Sequence, residues 1–109
     1  MAESSKKLDD LFTALGNAKR REIVRELALQ PTTVAKLAWQ HGLSLPSIHR
    51  HVRDLEAAGL LQRKKVGRTN FIALRRQGLQ ELQAWTAQFH AYWGNDEETL
   101  ENYLDHLHK

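Results

Sequence analysis

Residues 47–54 read SIHRHVRD, a stretch that places two histidines, two arginines and an aspartate close together. Such a set can ligate a metal, move protons, or hydrogen-bond to the surface of another molecule. Which of these it does depends on how the backbone presents it. Ser44 can cap a helix here, with Pro46 in the first turn, where amide hydrogens have no intrahelical partner. Leu45, Ile48, Val52 and Leu55 then form an i, i+3, i+7, i+10 stripe facing the rest of the protein. At about 100° per residue, Ser47, Arg50 and Asp54 make one outer row and His49 with Arg53 another. His51 lies about 200° around from His49, so the two rings leave on nearly opposite sides and do not chelate one ion. The i, i+4 pair of an HExxH site is missing. Neither imidazole has a carboxylate spaced to orient it, and no glycine-rich turn exposes Ser44 or Ser47 as a nucleophile. What remains is a face of small polar, imidazole and guanidinium groups, suited to base edges and phosphates.

The whole chain narrows the classes further. Its 109 residues are enough for one domain and too few for two independent cores. With 41% hydrophobic residues it has the composition of a folded protein. It contains no cysteine, which removes disulfides, thiolate nucleophiles and every cysteine-containing zinc or iron–sulfur site. The apolar runs are too short for a membrane span and MAESSKKLDD lacks a signal-like hydrophobic region, so the expected location is cytoplasmic and no membrane partner is expected. Charge is distributed unevenly: residues 1–43 carry +2, residues 44–76 carry +6 and residues 77–109 carry −5, within a net +3. A basic middle beside an acidic tail fits a polyanion-binding face on a solvated protein.

The scaffold follows from spacing. Leu8, Leu11, Phe12 and Leu15 predict a first helix over 5–15, ended by Gly16, with Asn17 capping a second whose apolar face holds Ile23, Val24 and Leu27. That helix stops near Gln30-Pro31. Thr32 or Thr33 caps a short third helix with Val34, Leu37 and Ala38 inward, ended by His41-Gly42. After the helix containing SIHRHVRD the pattern changes at Gly59 to two extended segments, Leu60–Val66 and Asn70–Leu74, joined by a turn at Gly67-Arg68-Thr69. Lys64, Lys65 and Arg68 sit at or near its tip. A helix-turn-helix followed by a basic hairpin is a winged helix-turn-helix, in which the helix enters the major groove and the wing reaches phosphates or the minor groove.

From Gln77 to Trp93, Leu79, Leu82, Trp85, Phe89, Tyr92 and Trp93 form a fifth, aromatic-rich apolar face that must be covered, by the domain itself or by a second copy. Asn95 with Glu98 forms a capping-box-like start to a sixth helix over 96–108. The expected fold is therefore mainly α with a small β-hairpin wing, a single domain over 1–109 whose DNA-binding core spans 17–76.

Residues from about Leu8 to Trp93 resemble the ArsR-type (arsenic-repressor-like) family of small bacterial and archaeal winged-helix repressors. The entry to the second helix is carried by Leu15-Gly16-Asn17-Ala18-Lys19-Arg20, with alanine where the family has proline. The recognition helix is carried by His49-Arg50-His51-Val52-Arg53-Asp54-Leu55-Glu56-Ala57-Ala58-Gly59-Leu60, and the wing by Gly67-Arg68, Phe71 and Leu74. The resemblance implies a homodimer held by the first and fifth helices, 5–15 and 77–93. Leu8, Leu11, Phe12, Leu15, Leu79, Leu82, Trp85, Phe89 and Trp93 are its expected interface. It implies double-stranded DNA as partner, with Pro46, Ser47, His49, Arg50, Arg53, Lys64, Lys65, Arg68 and Thr69 as the contacting residues. It also implies a packing role for His51. His49 stands where the family commonly has serine, which puts a bulkier, titratable group in the groove and leaves the sequence preference open.

Members of this family often sense metals. Their thiolate sites are impossible without cysteine. A second type, Asp-x-His followed after ten residues by His-x-x-Glu or His, fails here: with His90 as its first histidine, the other positions hold Gln88, Glu101 and Leu104. His90, Asp105, His106 and His108 remain the residues from which another nitrogen/oxygen site would have to be built. The expectation is no metal, no cofactor, no enzymatic activity and an inducer of unknown identity. The competing expectation is a winged-helix protein-interaction module whose DNA affinity is nonspecific.

Overall fold

In the computed structural model the described residues are 2–89 and 94–108. The expectations attached to His90, Tyr92 and Trp93 lie outside them. The elements run α1 (Ala2–Leu15), α2 (Ala18–Leu29), β1 (Thr32–Thr33), α3 (Val34–His41), α4 (Leu45–Ala57), β2 (Leu61–Val66), β3 (Thr69–Leu74), α5 (Arg76–Thr86) and α6 (Asp96–Leu107). Among the described residues no helix is long and apolar enough to cross a membrane.

Local chemistry sets most boundaries. The Asn17 side chain accepts from the Arg20 amide, Thr33 from Lys36 and Ser44 from Ser47, so each helix from α2 to α4 starts on a satisfied cap. At the other end of α4, Gly59 takes φ +79°. The Leu60 amide donates to the Leu55 carbonyl at 2.9 Å and the Gly59 amide to the Glu56 carbonyl at 3.0 Å. This pair of bonds reverses the chain into the wing and needs a left-handed residue, which only glycine supplies cheaply.

The core is built from Leu11 and Ala14 of α1, Ile23 and Leu27 of α2, Val34, Leu37 and Ala38 of α3, Ile48, Val52 and Leu55 of α4, and Leu60, Leu61 and Ile72 of the wing base. The cluster itself is wholly apolar. Full burial of each leucine or isoleucine contributes about 1.5–3 kcal/mol, so this cluster holds the helices around the sheet.

Several expectations change. The sheet has three strands in the order β1-β3-β2, because Thr32 and Thr33 pair antiparallel with Ile72 and Phe71. Thr33 thus serves as both strand residue and helix cap. β3 begins at Thr69, so the wing turn is the two residues Gly67 and Arg68 and Thr69 belongs to the strand. Leu45, expected on the inward stripe, is 52% exposed, since it is the leading residue of α4 and projects past the core. Leu11, expected at a two-copy interface, is fully buried in the chain's own core and offers no surface to a partner. Helix α5, expected to run to residue 93, ends at Thr86. There the Thr86 hydroxyl donates to the Gln83 carbonyl at 3.0 Å, and the Gln88 and Phe89 amides turn back onto Trp85 and Thr86. A threonine bonded to its own preceding turn competes with helix continuation.

Candidate nucleic-acid interface

Helix α4 buries Ile48, Val52 and Leu55 completely, and this orients everything else on it. Pro46, Ser47, Arg50 and Arg53 are exposed and His49 is half-buried at the flank. The two hydroxyls at its N-terminus are arranged in sequence. Ser44 Oγ accepts from the Ser47 amide at 3.3 Å and donates to Ser47 Oγ at 3.0 Å. Ser47 Oγ is thereby used as acceptor, and its own hydrogen is left for an outside acceptor such as a base edge or phosphate oxygen.

The wing supplies a second basic feature. Gly67 has φ +61° and no other residue of the turn has positive φ, the pattern of a two-residue turn with glycine first, whose twist suits a hairpin. Arg68 is the second turn residue and exposed. Strand pairing sets Lys64 opposite Phe71 and Lys65 opposite Asn70. Side chains alternate along a strand, so Lys65 shares a face with Arg63 and buried Ile72, while Lys64 shares the other with Phe71. The two lysines, adjacent in sequence, therefore address opposite sides of the wing.

Electrostatics separate the cations of this region into two sets. Between residues 44 and 76 the carboxylates are Asp54 and Glu56. Asp54 is held by Arg20 Nη2 from α2. Glu56 Oε1 accepts from Arg63 Nη2 at 2.7 Å and Nε at 3.1 Å, tying α4 to β2. Among the described residues Arg50, Arg53, Lys64, Lys65 and Arg68 have no ion pair. A surface with uncompensated cations and internally neutralised anions attracts a polyanion.

His51 faces the α2 side, where its Nδ1 accepts from Arg20 Nε at 3.1 Å. Burial, and then the Arg20 guanidinium, hold its pKa below the ordinary histidine value. It is a neutral packing residue in this arrangement. Arg20 was legible as part of the motif entering α2, but its reach to α4 was not. A second contact missed in the sequence is His41, whose almost fully buried ring donates from Nε2 to Glu26 at 3.0 Å and fastens α3 to α2. Among the described residues no three His, Asp or Glu side chains converge on a metal-sized position.

Aromatic rings of α1, α5 and the residues just after it meet within the single chain. Phe12 meets Trp85 edge-to-face at 5.4 Å between ring centroids, and Trp85 meets Phe89 at 4.8 Å. Leu8, Leu15, Leu79 and Leu82 pack partly against the core behind them. Phe12 and Phe89 remain 48% and 64% exposed, so a single copy leaves aromatic surface in water.

Residues 15–63 match a helix-turn-helix domain family. The HTH-type transcriptional regulator KmtR of Mycobacterium tuberculosis is 30% identical over 73 residues, covering 67% of this chain and 56% of KmtR. The chain thus spans little more than half the length of that relative. The crystal structure of an ArsR family transcriptional regulator superposes with a TM-score of 0.73 at 31% identity, over 77% of this chain and 87% of the other. A homodimeric winged helix-turn-helix DNA-binding domain from Mycobacterium bovis, solved in solution, shares the fold with a TM-score of 0.67 at 21% identity, over 79% and 80% of the two chains.

Proposed function

The chain belongs to the ArsR family of winged helix-turn-helix transcriptional regulators, and from that premise we propose that it is a sequence-specific DNA-binding repressor acting as a homodimer on a two-fold-symmetric operator. The observation that carries this reading is the charge arrangement around α4. Five cations on that helix and the wing are unpaired among the described residues, while Asp54 and Glu56, the carboxylates of α4, are neutralised from within. Pro46, Ser47, His49, Arg50 and Arg53 contact bases and phosphates of the major groove. Lys64, Lys65, Arg68 and Thr69 contact the backbone or the adjacent minor groove.

Dimerisation through α1 and α5 accounts for the aromatic face of Phe12, Trp85 and Phe89. Two recognition helices about 34–36 Å apart then address half-sites one helical turn apart. Leu8, Leu15, Leu79 and Leu82 line the edges of that contact. No enzymatic step and no cofactor enter this reading.

Selection of duplexes from a random pool, followed by affinity measurements against random DNA, tests it. A symmetric consensus preferred by about 10³-fold or more supports the repressor. Absence of any enriched sequence supports a second reading, a winged-helix module that binds another protein. The observation in its favour is Trp39 on α3, 82% exposed.

A further inference from the structure

Arg20 lies on α2, outside both α4 and the wing, yet its guanidinium ends on α4. Nε donates to His51 Nδ1 at 3.1 Å and Nη2 to Asp54 Oδ2. The Arg20 side chain is only 14% exposed, whereas Asp54 is 48% exposed and lies on the row that also carries Ser47 and Arg50. Accepting at Nδ1 leaves the His51 hydrogen on Nε2 and the ring neutral.

Asp54 is four residues beyond Arg50, a spacing at which opposite charges on one helix face attract each other. Left alone, this carboxylate would draw the Arg50 guanidinium back along the helix and would stand against any phosphate brought to the same row. In the structure Asp54 is occupied by Arg20 instead, and among the described residues Arg50 has no ion pair.

We propose that Arg20 is a positioning residue for DNA contact: by holding Asp54 it leaves Arg50 free to reach the duplex and neutralises the carboxylate on the recognition row. This rests on the DNA-binding reading above. The role belongs to the pair with Asp54, and His51 serves as the second point that fixes the orientation of the guanidinium.

The test is fluorescence anisotropy with labelled mixed-sequence duplex DNA over a salt series, using the full chain. Arg20→Gln retains a donor for His51 and loses the charge that holds Asp54. It should bind roughly fivefold more weakly at low salt, with a log–log salt slope shallower by up to about one. Arg20→Gln combined with Asp54→Asn should return to within about twofold of wild type, because no carboxylate remains to sequester Arg50. A purely structural Arg20 would leave the double variant as weak as the single one, and that result overturns the proposal. So does an Arg20→Gln protein with wild-type affinity and slope. Should Arg20→Gln fail to fold by circular dichroism, Arg20→Lys, which keeps the charge, must retain binding and slope for the proposal to stand. Failure of the wild-type protein to bind any duplex at low salt is a different outcome and sinks the DNA reading itself.

Discussion

A Cβ placed on Gly78 would stand 2.8 Å from Leu11 Cδ2, and also 3.0 Å from Leu60 Cδ2 and 3.1 Å from the Gly59 carbonyl oxygen. Helix α5 therefore packs at Gly78 against α1 and the turn after α4 with no room for a side chain. Two amides reinforce the junction: Gly78 donates to Gly59 at 3.1 Å and Arg75 to Leu60 at 2.8 Å. The helix that carries Trp85 is thus tied to the turn that ends the helix carrying Arg50, so the placement of one constrains the other.

Gly78→Ala should consequently destabilise the fold, although alanine is the better helix former. The propensity gain is at most about 1 kcal/mol, whereas overpacking a filled core costs about 1–3 kcal/mol, and here one of the three obstacles is backbone. Urea denaturation checks this. A midpoint equal to or above that of wild type would show that the junction is looser than the geometry implies.

The depressed pKa of His51 predicts acid sensitivity. Burial and the Arg20 guanidinium favour the neutral ring in the folded state, so the folded pKa lies below the ordinary value of about 6.5 retained on unfolding. The unfolded chain then binds the proton more readily, and stability present above about pH 6.5 is lost as pH falls from there towards the folded value. His51→Gln, which can still accept from Arg20 and does not titrate, should lose less stability between about pH 7.5 and about pH 5.5 than wild type. Equal losses in both proteins would remove His51 from the acid response.

At the wing tip, Arg68→Ala should weaken binding to all duplexes alike and reduce the salt slope by about one, as expected for one lost phosphate contact. A slope unchanged from wild type would take the wing tip off the DNA.

Trp85 touches both Phe12 and Phe89, so a charge there reaches the centre of the aromatic face. Trp85→Glu should yield monomers in sedimentation or light scattering and lower the affinity for a symmetric site by at least about tenfold. A variant that remains dimeric would move the interface away from α1 and α5.

The sequence alone determined the helices α2 to α4, their caps and the hairpin, because each is written in signals no more than a few residues apart. Examples are Asn17 before Arg20, Ser44 before Ser47, and Gly59 and Gly67 where positive φ is required. It also located the basic segment and the outward row of α4, since a 3.6-residue period ties Arg50 and Arg53 to the opposite side from Ile48 and Val52. Only the tertiary structure decided matters that depend on distant partners. Thr32 and Thr33 became a strand because Ile72 and Phe71 arrive beside them. Leu11 turned inward while Phe12, its neighbour, stayed at the surface, because α1 is apolar on more than one side and the approach of Gly78 selects which side is core. Arg20 found Asp54 across 34 residues of chain, a pairing that no local period encodes. Local spacing specifies which face a side chain takes on its own element. What that face meets is set by how the elements close on one another, and it is this closure that separates the internally paired cations from those left unpaired at the surface.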